Sequence, residues 1–229
     1  MAGRRKYKAV LVDFYGTIAD GDAFAVESVC RQLVGELSLP LSPAELAVAW
    51  GERFFETIER RNHHDFRTLL ECECESLMDL LSPLVGWVDP APYVERLKDY
   101  WTAPPIHAEA VGALTAIQMP ICCVSNADNT PLRRAIETNR LRFDHVITSE
   151  DARCYKPEPH IFMRALNAVG LGPDEVLHVG DSLHSDIGGA KRAGIDSAWV
   201  CRNGRIHDIG QDRATFKIND LNGLHSIIG

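Results

Sequence analysis

The sequence predicts an α/β fold: a Rossmann-like parallel sheet flanked by helices, with an inserted all-helical domain. Three observations predict it. From about Ile106 onward, short apolar runs alternate with helical stretches, the pattern of βαβ units in a parallel sheet. One further apolar run, Ala9 to Val12, stands alone near the start and needs that sheet to pair with. Between the two, roughly Ala19 to Tyr100, helical periodicity continues without a strand signal. The expected division is therefore core in residues 1–18, a helical cap in 19–100, and the rest of the core in 101–229. Inserted after the first strand, the cap would lie over the carboxyl ends of the strands, where such sheets place their sites.

The elements follow in order. "DAFAVESVCRQLVGEL" has helical spacing, with Asp22 as its expected N-cap. "SPAELAVAWGERFFETIERR" opens with a cap at Ser42 and Pro43 at the first helical position. "DFRTLLECECESLMDLL" is a third helix, expected to end at Ser82-Pro83, and "DPAPYVERLKDYWTA" a fourth, stopped by Pro104-Pro105. After helical "HAEAVGALTAI" comes the strand "MPICCVSN". Helical "TPLRRAIETNRL" leads to "FDHVITSE", and "EPHIFMRALNAVGL" to "EVLHVGDS". "DIGGAKRAG" leads to "DSAWVCRNG", and "FKIND" is a last strand.

With 229 residues the chain can bury a full core. A net charge of −8 argues against a nucleic-acid partner, and the basic clusters Arg4-Arg5-Lys6, Arg60-Arg61 and Arg133-Arg134 are short solvated faces. No apolar run approaches a membrane span, so a cytoplasmic protein is expected. Seven scattered cysteines without a CxxC pair fit that compartment. Cys72 and Cys74, two residues apart on a helix, are rotated by about 200° and cannot share a metal. His63-His64-Asp65 matches no zinc spacing.

Four polar signals fall where strands end: Asp13 with Thr17, Ser125-Asn126, Lys156 in "YKPEP", and Asp181 with Asp186 in "GDSLHSD". Each alone has a structural explanation as a turn former, a surface lysine or a carboxylate in the first turn of a helix. Together, at one sheet edge and in this order, they point to a site. A carboxylate can attack an electrophile and be released by water, while a hydroxyl and an ammonium can bind anionic oxygens.

These stretches, "DFYGT", "VSN", "YKPEPHIF" and "HVGDSLHSDIGGAKRAG", resemble the haloacid dehalogenase superfamily of hydrolases, specifically its 2-haloacid dehalogenase-like members with a helical cap. The resemblance spans the whole core and implies roles. Asp13 would be the nucleophile, with Thr17, Ser125, Asn126 and Lys156 beside it. Mg²⁺ would be held by Asp13, Asp181 and the backbone carbonyl of Tyr15, with Asp186 holding a metal-bound water or Lys156. The expected partner is a small anionic substrate.

At one position the chain departs from that pattern. Phosphatases of the superfamily carry a second Asp, the acid/base, where this chain has Tyr15; members with Tyr resemble the dehalogenases, which need no metal. Against dehalogenation stands the acidic pair in "GDSLHSD", which dehalogenases resembling "DxYGT" tend to replace with Ser and Asn. They also clamp the substrate carboxylate with a cap Arg; in "AWGERFFE" Gly51 falls at that place, leaving Arg53 as a substitute with Phe54 beside it. Trp50, Phe55, His63 and His64 are further candidates to line the cap, packing being the alternative for the aromatics. The expectation is a Mg²⁺-dependent phosphatase acting on a small phosphate ester or acyl phosphate. The alternatives are a metal-independent 2-haloacid dehalogenase and a non-catalytic binding module, the latter resting on Tyr15 alone.

Overall fold

The computed structural model describes residues 6–202 and 212–229; Arg4-Arg5 and the Asn203-Gly204 end of the fifth expected strand lie outside them. In chain order the elements begin with β1 (Ala9–Val12) and the helices α1 (Asp22–Leu37), α2 (Pro43–Arg60), α3 (Leu69–Val85), α4 (Ala91–Val94), α5 (Leu97–Thr102) and α6 (Ala110–Ala116). Then follow β2 (Ile121–Ser125), α7 (Asn129–Thr138), β3 (His145–Thr148), α8 (Ser149–Ala152), α9 (Pro159–Val169) and β4 (Val176–Gly180). The last are α10 (Gly189–Arg192), β5 (Asp196–Val200), β6 (Phe216–Ile218) and α11 (His225–Ile228).

The six strands form one parallel sheet in the order β3-β2-β1-β4-β5-β6. β1 is buried throughout, as an uninterrupted apolar run in a central parallel strand should be. Its alternate residues feed two cores. Val10 and Val12 pack with Leu114, Leu132 and Ile228 on one face. Ala9 and Leu11 pack with Ile161, Phe162 and Ala190 on the other. The chain runs outward from β1 to β3, then returns to β4 on β1's other side. The carboxyl ends of β1 and β4 therefore flank the switch point of the sheet, where a crevice opens.

The helices from α1 to α5 surround a third core that includes Leu33, Leu46, Trp50, Ile58, Leu77 and Leu81. Capping explains where α2 and α3 start. Ser42 with Glu45 and Thr68 with Glu71 each form a capping box, and Pro43 is the first helical residue.

Three local expectations are corrected. Gly21, in the left-handed region at φ 87°, precedes α1, so Asp22 is the first helical residue and no side chain caps there. α3 runs through Pro83 to Val85; in the last turn a proline forfeits one N–H, and the helix stops at Gly86. The single helix expected over residues 89–103 is split into α4 and α5, because Arg96 and Lys98 donate three residues back, to Tyr93 and Glu95.

The chain crosses between the sheet and these helices twice, and the two crossings are stitched together. Ala19 bridges Ile106 antiparallel; the Asp20 N–H donates to the Pro105 carbonyl and the His107 N–H to the Ile18 carbonyl. At the far side the Asp128 carboxylate accepts from the Leu69 and Leu70 N–H groups, fastening the start of α3 to the β2–α7 loop.

Candidate active site

The carboxyl edge of the sheet gathers the residues that the sequence singles out. Asp13 follows β1, Ser125 ends β2, and Asp181 follows β4, one residue after Gly180. All three are buried, as are Thr17, Lys156 and Asp186. Lys156 is the hub. Its Nζ donates to Asp13 Oδ1 at 2.7 Å and to Asp186 Oδ1 at 2.6 Å. Thr17 Oγ1 donates to Asp181 Oδ1 at 3.1 Å, and Ser125 Oγ lies 3.5 Å from Asp13 Oδ1.

Backbone conformation makes the approach possible. Gly16 has φ 91°, and a β-carbon there would lie 2.5 Å from Asp181 Oδ2. At Gly180 a β-carbon would lie 2.1 Å from Asp186 Cγ. Asp186 sits in a wide, π-type turn, Leu183–Gly188, that runs into α10. Asn126 has a supporting role: its amide brackets the Lys156 backbone, donating to the carbonyl at 3.1 Å and accepting from the N–H at 2.7 Å.

Electrostatics separates the two carboxylates that share Lys156. Burial pushes the Asp13 carboxyl up, and Lys156 only partly offsets it. Asp186 is buried too, but the Lys156 charge and His178 hold its carboxyl well below the usual range. For Lys156 burial opposes the charge, and the two carboxylates outweigh it, so its proton is held more tightly than usual.

Ligand-atom geometry tests whether a cation fits. Carboxylate oxygens of Asp13, Asp181 and Asp186 all lie within 4.8 Å of one another. Asp13 Oδ2 is buried and makes no hydrogen bond among the described residues. Asp186, by contrast, is engaged at both oxygens: Oδ1 by Lys156 and His178, Oδ2 by the Ser182 N–H. The set therefore fits a small hard cation at Asp13 and Asp181, with Asp186 as the anchor of Lys156. The seven cysteines are free, and neither they nor His63 and His64 enter any metal-ligand group found among the described residues.

Tyr15 does not face this centre through its hydroxyl. Its Oη donates to the Trp101 carbonyl at 2.6 Å, and its ring lies between Phe14, 4.9 Å away, and Tyr100, 5.9 Å away. Burial pushes the phenol far above its ordinary value, so it is no base. Arg53 is not brought in either: it pairs with Glu56 one turn along α2, with its side chain substantially exposed. Phe54 packs on Phe55 against the helical core. Trp50 is a packing residue whose Nε1 donates to Ser76, while the His63 and His64 side chains are exposed.

Four supporting residues escape a reading of the sequence. His178, fully buried on β4, holds Asp186 Oδ1 with Nε2 at 3.0 Å. Trp199 Nε1 donates to the Asp181 carbonyl at 2.9 Å, and Arg202 to the Thr17 carbonyl at 3.0 Å. Asp128 is the fourth, through α3. Only His178 leaves a sequence signal, a polar residue inside the apolar run "VLHVG".

Comparison with known proteins shows what the chain is similar to. A family model described as haloacid dehalogenase-like hydrolase matches residues 7–194. An (S)-2-haloacid dehalogenase 4A of Burkholderia cepacia is 24% identical over 96% of this chain and 94% of its own. A glyceraldehyde 3-phosphate phosphatase of Pyrococcus furiosus is 40% identical over 76 residues, which are 31% of this chain and 32% of that relative. Among solved structures, the L-2-haloacid dehalogenase of Xanthobacter autotrophicus superposes with a TM-score of 0.77 at 21% identity, covering 97% of this chain and 98% of that one. The HAD-hydrolase YfnB of Bacillus subtilis, bound to magnesium, does so with a TM-score of 0.76 at 22% identity, covering 98% and 99%.

Proposed function

Because this chain belongs to the haloacid dehalogenase-like hydrolases, we propose that it hydrolyses a small phosphate ester or acyl phosphate through an aspartyl phosphate on Asp13. The observation that carries this reading is the convergence of Asp13, Asp181 and Asp186 around one buried lysine. Three carboxylates and one ammonium leave two negative charges unbalanced, and a Mg²⁺ held by Asp13, Asp181 and the Tyr15 carbonyl would match them. When bound, the cation would neutralise charge on the phosphoryl oxygens.

The chain's own residues do the rest. A carboxylate oxygen of Asp13 attacks phosphorus as the bond to the leaving oxygen breaks. Lys156 and the Ser125 hydroxyl donate to the phosphoryl oxygens as charge builds on them. Water then cleaves the acyl phosphate bond, releasing phosphate and restoring Asp13. Residues 19–100 act as the cap that shields these steps, in a cytoplasmic enzyme. With its hydroxyl hydrogen-bonded to the Trp101 carbonyl, Tyr15 brings no proton to the leaving oxygen, so acyl and aryl phosphates react faster than alkyl esters.

A second reading has its own support. The relatives that match this chain over its whole length include 2-haloacid dehalogenases of Burkholderia cepacia and Pseudomonas. In that reading Asp13 attacks the carbon bearing the halogen, halide leaves without a proton, and no metal takes part. Asp181 and Asp186 count against it, because an incoming haloacid anion gains nothing from extra carboxylates and Arg53 is turned away.

A paired assay decides. Phosphate release from acetyl phosphate, p-nitrophenyl phosphate and an alkyl phosphate is measured beside chloride release from 2-chloropropionate, each with Mg²⁺ and with chelator. Phosphate release that needs Mg²⁺ and is lost in Asp181→Ala supports the phosphatase reading. Chloride release undiminished by chelator overturns it in favour of the dehalogenase.

A further inference from the structure

We infer that the Tyr15 phenol is a positioning residue: it fastens the nucleophile loop to the end of α5 and exchanges no proton with substrate. The inference rests on Asp13 as the nucleophile and holds for either electrophile.

The carbonyls at the end of α5 carry the case. A helix leaves its last carbonyls without partners inside the helix. The Lys98 carbonyl accepts from Thr102 Oγ1 at 2.8 Å, and those of Asp99 and Tyr100 accept from the Ala103 N–H. The Trp101 carbonyl is next, and the donor that reaches it is Tyr15 Oη, 86 residues away in sequence. A core side chain thus completes the end of a cap helix. It does so beside the stitched crossings at Asp20 and Pro105, and only two residues after Asp13. The ring's packing against Phe14 and Tyr100 sets its direction. An aspartate at the same position is shorter and, when ionised, donates no proton, so it cannot replace this contact.

Tyr15→Phe keeps the ring and deletes the donor. Hydrogen exchange is followed at the amides of residues 100–107, together with kcat on an aryl and an alkyl phosphate and chloride release from 2-chloropropionate. The expected result is exchange at Ala103 and His107, whose N–H groups are hydrogen-bonded, faster by roughly threefold or more. Whatever activity the enzyme has should fall by the same factor on good and poor leaving groups. Tyr15→Asp should loosen the same amides. Wild-type exchange in both variants overturns the inference. So does a loss confined to the alkyl substrate, which marks Tyr15 as an acid. If the wild-type enzyme turns over none of these substrates, the proposed function fails, while the exchange measurement still decides the role of Tyr15.

Discussion

Replacing Lys156 with methionine isolates the charge balance of the site. The wild-type ammonium lies 2.7 Å from Asp13 Oδ1 and 2.6 Å from Asp186 Oδ1. At an effective dielectric constant of about 20, each contact is worth about 6 kcal/mol before desolvation. Methionine fills the volume but leaves two buried carboxylates facing each other. Removing one partner of a buried ion pair costs about 3–5 kcal/mol, much of the gross attraction being cancelled by desolvation already incurred. At about 2–4 °C per kcal/mol for a chain of this size, the midpoint of unfolding should fall by roughly 6–20 °C. The deficit should depend on pH, and its sign follows from Asp13. Burial already raises its folded carboxyl above the unfolded value, and losing Lys156 removes the chief effect that lowers it. The folded variant then holds a proton that the unfolded chain lacks, so its stability falls as pH rises through the interval between those two values. Thermal unfolding at pH 5 and pH 8, in chelator so that no cation substitutes for the lysine, is the assay. The reasoning is refuted if Lys156→Met matches the wild type at pH 8, or if its deficit is the same at both pH values.

Asp13→Asn keeps the shape of the nucleophile and removes its charge; turnover should drop to background while the circular dichroism spectrum is unchanged, and wild-type-like turnover would remove Asp13 from the mechanism. Gly16→Ala places a methyl group against the Asp181 carboxylate at φ 91°, and strain at such a position costs about 1–3 kcal/mol. Denaturant unfolding should show that loss, with activity falling further because Asp181 must shift. Asp128→Ala removes the acceptor from the Leu69 and Leu70 N–H groups, and its unfolding midpoint should report a loss of about 1 kcal/mol.

The strand ends were the legible part of the site. β1, β2 and β4 are apolar runs that stop at Asp13, Ser125 and Gly180-Asp181, so a change in residue type marks the sheet edge directly. Helix starts with a side-chain signature, Ser42-Pro43 above all, were equally readable. Where the outcome depends on a backbone group, sequence is silent. Nothing in "DFYGT" says that the phenol will find the carbonyl of Trp101. Arg53 illustrates the limit on the cap: it stands two residues from the place of a clamp and was a candidate substitute, but in the fold it pairs with Glu56. Pro83 illustrates a third kind of miss, since a proline in the last turn forfeits only one hydrogen bond and does not end the helix. His178 was visible as a polar residue in a buried strand, and only the fold shows that Asp186 is its partner.

In the proposed reaction Asp13 accepts a phosphoryl group beside a cation held by Asp181. Fluorine NMR in the presence of beryllium fluoride tests it without knowledge of the natural substrate, because a beryllofluoride on a carboxylate imitates an aspartyl phosphate. Protein-bound fluorine resonances are expected that require Mg²⁺, vanish in chelator, and are missing in Asp13→Asn and Asp181→Ala. No bound resonance in the wild type with Mg²⁺, together with chloride release from 2-chloropropionate in chelator, would contradict it.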